Sequence, residues 1–410
     1  MESEAPRGQI EFEDLRGESV RRKETETPVV TILMPCLNEI ETLATCIGKA
    51  KKWAEASGRE VEILVADNGS TDGSQEAARS LGVRIVDVAE RGYGNALYYG
   101  IEAARGDFVI MADSDGSYDF SNLTPFVEAY EAGAELVLGN RFLGGIHPGA
   151  MPWKNRYIGN PILTFIGKLL FRSAVNDFHC GLRGITKDAF FRLDLRTTGM
   201  EFASEMVIKA TIMSLRIVEV PTTLDKDGRS RPPHLRPGRD GWRHLRFMLI
   251  YSPRWLFLVP GLILTILSIL AYASVYLNFH PLDGVEFGIH TLFFTQASIV
   301  IGLSAVFIAI AIRIFGAREH LLSEHALLNT LNRFPILEAG AIFGIFISSL
   351  GGYLGYNALN YWMSLDFGLI SDSNLIKTVS LSTLLLTVGG IVFVYSLLLG
   401  FFGLTTRSQR

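Results

Sequence analysis

Charge is nearly missing from the C-terminal part of this 410-residue sequence: only seven Lys or Arg and seven Asp or Glu lie beyond Tyr251. Four stretches, 256–279, 291–312, 339–365 and 378–406, contain none. Each exceeds the roughly 20 apolar residues a helix needs to cross a bilayer core. The mean hydropathy of +0.26 excludes an ordinary soluble enzyme, and the 20% of charged residues excludes a pure membrane bundle. With no charge inside the spans, an ion pump or proton-coupled transporter is disfavoured. Lys and Arg are also absent from the connections 280–290 and 366–376. The opposite side holds Arg236, Arg239, Arg243, Arg246, Arg254, Arg313, Arg318, Arg333, Arg407 and Arg410. The positive-inside rule therefore predicts an integral membrane protein with four spans, its head and both termini in the cytosol (at the inner membrane in a bacterium).

Cysteine is scarce as well. Cys36, Cys46 and Cys180 form no Cys-x-x-Cys pair, so neither a disulfide framework nor a zinc site is expected. A net charge of −4 leaves no basic footprint for nucleic acid. Residues 2–26 are rich in Glu and Arg and lack the apolar core of a signal peptide, so 1–27 reads as a disordered polar tail.

What the sequence does contain, from residue 28 to 237, is an α/β alternation. Short β-branched runs at 29–34, 61–66, 83–88, 108–112 and 136–138 alternate with helical stretches such as 41–55 and 95–104. That order predicts a Rossmann-like, mainly parallel sheet covered on both faces. Ligands of such sheets bind beyond the carboxyl ends of the strands. Three of those ends carry chemistry: Pro35-Cys36-Leu37-Asn38-Glu39, Asp67-Asn68-Gly69-Ser70 and Asp113-Ser114-Asp115-Gly116-Ser117. Singly each is ordinary turn chemistry. Together they suit a hard divalent cation, which takes one or two protein carboxylates and completes its shell with substrate oxygens.

The head resembles an inverting family-2 glycosyltransferase of the GT-A fold, of the polyprenyl- (dolichyl-) phosphate hexose transferase type. The resemblance runs from Met34-Pro35-Cys36-Leu37-Asn38-Glu39 through Asp67-Asn68-Gly69-Ser70 to Asp113-Ser114-Asp115. It continues in Gly139-Asn140-Arg141, in the segment from Asp177 to Arg183 and in the loop from Lys226 to Arg231. It implies that Pro35, Leu37, Glu39 and Asp67 hold the base and ribose of a UDP- or GDP-hexose, with Arg91 and Asn95 close by. Asp113 and Ser114 would face its diphosphate, and Asp113, Asp115 and Ser117 would hold Mg²⁺ or Mn²⁺. Leu37 stands where the family often has Tyr, and Ser117 where it often has Gln or His.

An acceptor drawn from the bilayer needs cations between the membrane surface and the metal. Arg141, Arg156, Lys226, Arg229 and Arg231 are the candidates, with Asn160 beside Arg156. Arg156 and Asn160 fall in the apolar stretch 153–171, which reads either as a helix lying in the headgroup zone or as a core helix of the head. A phosphate monoester is already largely a dianion at neutral pH, so positioning and charge neutralisation can carry the reaction without a strong base. Asp115, Arg141 and Asp177 are the catalytic candidates, Asp177 either orienting a partner or simply pairing with Arg183 or another cation. The segment 238–254 is expected to be an interfacial helix leading into an all-α, four-helix transmembrane domain over 255–410, where glycines at 351, 352 and 355 allow close helix packing.

The expected reaction is metal-dependent inverting transfer of a hexose to a polyprenyl phosphate at the cytosolic face, by a protein in contact with membrane lipids and open to homo-oligomer formation. Transfer to a lipid hydroxyl or a glycan chain is the alternative within enzymes. A non-catalytic membrane scaffold or flippase subunit is the alternative outside them. Against a processive polysaccharide synthase, Arg254-Trp255 follows Tyr251 rather than the Gln of a Gln-x-x-Arg-Trp element.

Overall fold

The computed structural model describes residues 30–231, 237–279, 288–318, 335–368 and 373–403. The polar tail 1–27 and the arginines at 236, 333, 407 and 410 lie outside the described residues.

The head follows the order β1 (Val30–Cys36), α1 (Leu43–Ser57), β2 (Val61–Asp67), α2 (Ser74–Ser80), β3 (Arg84–Asp87), α3 (Tyr93–Ala103), β4 (Phe108–Met111), α4 (Thr124–Glu131), β5 (Leu136–Asn140), α5 (Arg141–Gly144), α6 (Asn160–Phe171), β6 (Arg183–Thr186), α7 (Lys187–Leu193), α8 (Phe202–Ile212) and β7 (Ile217–Pro221). The strands form one seven-stranded sheet in the order β3-β2-β1-β4-β6-β5-β7. All neighbours are parallel except β6, which runs antiparallel to β4 and β5. This is the mainly parallel GT-A architecture. The five strands expected from the sequence are present; β6 and β7 are additional.

Alternation along the strands divides the core into two halves. Ile32, Met34, Phe108, Ile110 and Val137 pack on one face with Leu43, Ile47 and Trp53 of α1. Leu33, Val109, Met111, Leu136 and Leu138 pack on the other with α3, α7 and α8. Successive side chains of a strand point to opposite faces, so a sheet covered on both sides reads as continuous apolar runs.

A π-helical turn (Asn155–Gly159) leads into α6. Only Thr164 and Gly167 of α6 are buried, while Ile166, Leu170 and Phe171 rest against the core. Gly167 lies under the Phe178 ring, where a Cβ would come within 2.8 Å of its edge. The outer side exposes Tyr157, Ile158, Ile162, Phe165 and Leu169, a continuous apolar stripe at helical spacing. That arrangement fits a helix in the headgroup zone and does not fit a core helix.

The helix α9 (Pro237–Ile250) buries Asp240, His244, Phe247 and Met248 against the head. A second π-helical turn (Arg254–Leu258) then opens α10 (Val259–Tyr276), followed by α11 (Ile289–Arg318), α12 (Ile336–Ser364) and α13 (Ser373–Gly403). These four helices are long and apolar enough to cross a membrane. Close contacts pair them: Gly261 meets Gly302 between α10 and α11, and Gly344 and Gly351 meet Gly389 and Leu386 between α12 and α13. Ser382 donates to the Gly351 carbonyl at 2.7 Å. Within the glycine run, Gly351 and Gly355 face α13, while Gly352 meets nothing within 4 Å.

The junction between α9 and the head buries His244 and half-buries His179. His244 shares a 2.8 Å hydrogen bond with the Ser204 hydroxyl, and its ring packs edge-on against His179 at 4.7 Å. Burial, together with neighbouring Arg183 and Arg243, pushes His244 down to about 4 against the raising effect of Asp240. Burial and the His244 charge drive His179 down as well. An unfolded histidine takes up its proton near pH 6.5. Below that the unfolded chain binds a proton that folded His244 refuses, so stability falls as pH drops from 6.5 to about 4. The loss from His244 approaches about 3 kcal/mol at the lower end. Thermal midpoints of the full chain in detergent should show this slope, and His244→Gln should flatten it; an equal slope in the variant would refute the assignment.

Candidate active site

A cavity of about 560 Å³ opens at the carboxyl ends of β1 and β4. Pro35, Cys36, Leu37 and Glu39 line it from β1, Asn68 from the end of β2, and Asp113, Ser114 and Asp115 from β4. Arg91 and Tyr93 come from the turn before and the start of α3. Its remaining wall is built by Thr198, Gly199, Met200, Arg229, Arg239 and Arg243.

The β4 turn is held rigidly. Ser114 donates to the Pro35 carbonyl at 2.9 Å, and Thr42 donates to the Ser114 carbonyl at 2.7 Å. Asp115 Oδ1 accepts from the backbone N–H of Ser117 at 2.9 Å and its hydroxyl at 2.6 Å. Ser117 is thus turned onto Asp115. Burial, with Asp115's charge adding to it, pushes the Asp113 carboxyl well above the usual carboxylate range, although a Tyr93 hydrogen bond and Arg229 oppose the shift. Two carboxylates that repel each other in a buried turn are a donor set that a divalent cation satisfies. Among the described residues no group of three or more His, Cys, Asp or Glu side chains forms a ready-made metal cage. A cation here would take its other ligands from substrate.

The segment from Asp225 to Arg231 is strapped across this turn. Gly228 N–H donates to the Asp115 carbonyl and Asp225 N–H to the Ser117 carbonyl, both at 2.9 Å. Arg229 reaches Asp115 Oδ2 at 2.8 Å and Glu39 Oε1 at 3.1 Å. Arg231 donates to the carbonyls of Leu37 and Asn38 and pairs with Glu39 at 2.9 Å. Burial raises Glu39 while Arg229 and Arg231 pull it back down, and its Oε2 is buried without a hydrogen bond. Lys226 is exposed and does not line the cavity.

Several expected site residues stand just behind the cavity wall. Asp67 Oδ2 accepts from the N–H groups of Gly69 and Ser70 and from Gln75. Burial works against the Asp67 anion, but these bonds outweigh it and hold its carboxyl low. Asp67 therefore shapes the turn from which Asn68 faces the cavity. Arg91 donates to the Asn68 carbonyl at 2.9 Å, and Asn95 donates to the Arg91 carbonyl at 3.2 Å. Arg141 and Asp177 form a bidentate ion pair at 2.8 and 2.7 Å, both buried and off the cavity. The partner of Asp177 is Arg141; Arg183 instead donates to the carbonyls of Cys180 and Ala203. Arg156 lies over the Tyr157 ring and donates to the Ile146 carbonyl. Asn160 contacts the Met151 sulfur. Through the Ile146 carbonyl, Arg156 reaches the Ile146–Leu224 bridge that immediately precedes the strap.

The cavity residues not expected as site residues from sequence include Tyr93, Thr198, Met200, Arg239 and Arg243, the last two read there only as membrane-flanking charge. A signal for the first two existed in Gly92-Tyr93-Gly94. A Cβ at Gly92 would lie 2.2 Å from the Thr198 carbonyl oxygen, and one at Gly94 2.4 Å from that of Thr197. The loop they meet is pinned by fully buried Glu205, which accepts from Thr197 N–H and hydroxyl at 2.8 and 2.6 Å and pairs with Lys209 at 2.9 Å. Glu201, at the N-terminus of α8, makes no side-chain cap bond; it pairs with Arg243 at 3.2 Å.

Residues 31–193 match glycosyl transferase family 2, and residues 310–403 match the glycosyltransferase family 2 C-terminal transmembrane region. Glycosyltransferase AglJ of Haloferax volcanii is 31% identical over 213 residues, covering 52% of this chain and 68% of that protein. The chain belongs to glycosyltransferase family 2. Another relative of this family-2 enzyme, the low-salt glycan biosynthesis hexosyltransferase Agl6 of H. volcanii, is 37% identical over 64% of this chain, the match spanning 63% of Agl6. Polyprenol monophosphomannose synthase of Mycolicibacterium smegmatis is 27% identical over 47% of this chain and 76% of its own length. Glucosyl-3-phosphoglycerate synthase from Mycobacterium tuberculosis, solved with Mn²⁺ and UDP-glucose, aligns at 20% identity with a TM-score of 0.42, over 54% of this chain and 77% of its own.

Proposed function

We propose that this glycosyltransferase moves a hexose from a UDP- or GDP-sugar to a polyprenyl phosphate at the cytosolic membrane face. The observation that carries the reading is the composition of the cavity. Its floor is the Asp113–Asp115 turn, and its far wall comes from α9, the helix that runs into the first span. A donor site walled by a juxtamembrane helix suits an acceptor that stays in the bilayer. The exposed apolar stripe of α6 would lie in the same headgroup zone. Arginines at 239, 243, 246, 254 and 313 mark the end of the spans nearest the head, a bias that supports a cytosolic head by the positive-inside rule.

In this reading Pro35, Leu37, Glu39, Asn68 and Arg91 hold the base and ribose, and Ser114 backs the diphosphate. Mg²⁺ or Mn²⁺ held by Asp113 and Asp115 would neutralise the departing nucleotide diphosphate. Ser117 orients Asp115, and Asp177 orients Arg141. The acceptor phosphate oxygen attacks the anomeric carbon as the bond from that carbon to the diphosphate breaks, inverting the centre in one displacement. Nothing in that step needs a protein base, because the nucleophile is already anionic. Arg229, which links Asp115 to the strap, follows the charge as it moves to the leaving group.

The test is transfer of labelled sugar from UDP- and GDP-hexoses to undecaprenyl phosphate by detergent-purified protein, with Mg²⁺ or Mn²⁺ and with EDTA. A metal-dependent, chloroform-extractable sugar lipid is expected. Donor hydrolysis without transfer to the phosphate, but with transfer to diacylglycerol, would replace the acceptor by a lipid hydroxyl.

A further inference from the structure

The helix α9 presents three distinct faces. Asp240, His244, Phe247 and Met248 are buried against the head. Trp242, Arg246 and Ile250 are exposed, with the spacing of a stripe that meets the lipid surface. Arg239 and Arg243, one turn apart, line the same cavity as Asp113 and Asp115. One helix joined to the first span thus carries two guanidinium groups into the active-site cavity.

Arg243 is held in place from the other side. Its Nη2 donates to Glu201 Oε1 at 3.2 Å, and a Cβ on Gly199 would lie 2.8 Å from that same nitrogen. The loop carrying Gly199 is anchored through Thr197 to buried Glu205. The other arginines expected to meet an acceptor phosphate are engaged elsewhere: Arg141 with Asp177, Arg156 with the Ile146 carbonyl, Arg229 with Asp115 and Glu39, and Arg231 with Glu39 and the Leu37 and Asn38 carbonyls. Of these, only Arg229 faces the cavity. A phosphate monoester brings close to two negative charges at neutral pH, in addition to those of the donor diphosphate. Two planar, permanently charged forks on the membrane-side wall fit that demand.

We propose that Arg239 and Arg243 receive the phosphate monoester of the lipid acceptor, so that α9 brings the acceptor phosphate and the Asp113–Asp115 turn into one space. This rests on the phosphate-acceptor reading above. The shared chemistry is a phosphate oxyanion, which the donor diphosphate could also supply, and the experiment separates the two sources.

Full-length protein in detergent is titrated with farnesyl phosphate and, as control, farnesol, and separately with UDP and GDP in the presence of Mn²⁺. Arg239→Gln/Arg243→Gln should weaken farnesyl phosphate binding by roughly tenfold or more, the loss expected for charge-assisted hydrogen bonds. Nucleotide affinity should stay within about twofold, far below the loss of one such bond. Arg239 is the more exposed of the pair, although its Nε donates to buried Asp240 at 3.1 Å, so Arg239→Gln alone, with its thermal midpoint measured alongside as the check on folding, should show a smaller loss in the same direction. Glu201→Gln removes the partner of Arg243 but should leave phosphate binding in place. Unchanged farnesyl phosphate binding in the double variant overturns the proposal. A parallel fall in nucleotide affinity also overturns it and assigns the arginines to the donor. If the unmodified protein binds farnesyl phosphate no better than farnesol, this proposal and the acceptor reading fall together.

Discussion

Asp113→Asn combined with Asp115→Asn should lower sugar transfer by about a thousandfold or more, the scale of removing the charge stabilisation from a transition state. The same change should not unfold the protein. Asp113 is half-buried at the floor of the cavity, and burial, with Asp115's charge adding to it, already raises its carboxyl to about 7. Asparagine keeps the hydrogen-bonding shape while removing the repulsion. Asp115→Asn weakens the contact to Arg229, which keeps Glu39 and Asp227 as partners. The thermal midpoint should therefore hold steady or rise as activity disappears, the pattern of residues kept for function at a cost in stability. Transfer assays and melting curves on the same preparation check both halves. Activity within tenfold of the unmodified protein would refute the role given to the Asp113–Asp115 turn in neutralising the leaving group.

The largest expected effect on stability lies at Asp177. Its carboxylate accepts from Arg141 Nε, Nη2 and backbone N–H, and both side chains are almost entirely removed from solvent. Asp177→Ala leaves a buried guanidinium without its counter-charge, which costs about 3–5 kcal/mol. Replacing both partners by apolar residues, Arg141→Met with Asp177→Leu, removes the uncompensated charge and should recover much of that loss. The comparison is made by denaturant unfolding of the full chain in detergent. A double variant as unstable as Asp177→Ala would show that the pair does more than balance charge. The damage should spread to the site, because the Asp177–Gly181 segment runs behind the Asp113–Asp115 turn. A Cβ at Gly181 would lie 2.9 Å from Asp113 Oδ2, and its N–H donates to the Tyr118 hydroxyl at 2.7 Å.

By itself, the sequence determined the division into an α/β head and four apolar helices, five of the seven strands, and the strand-end motifs that face the cavity. Those features are local: a span needs only length and lack of charge, and a buried parallel strand needs only a short apolar run. Tertiary structure decided the rest. The strand β6 was illegible because Arg183 and Gly184 give no strand signal; Arg183 is tolerated at the centre of the sheet only because carbonyls from Phe178, Cys180 and Ala203 surround its guanidinium. Asp67 and Asp113 look alike in the sequence, yet one oxygen of Asp67 is taken up by Gly69, Ser70 and Gln75 behind the wall while Asp113 lines the cavity. Arg239 and Arg243 are indistinguishable in sequence from the membrane-flanking arginines around them. Only the packing of Phe247 and Met248 on the head turns that face of α9 into the cavity. Charge is written residue by residue, but what a charge meets depends on which elements the fold presses together.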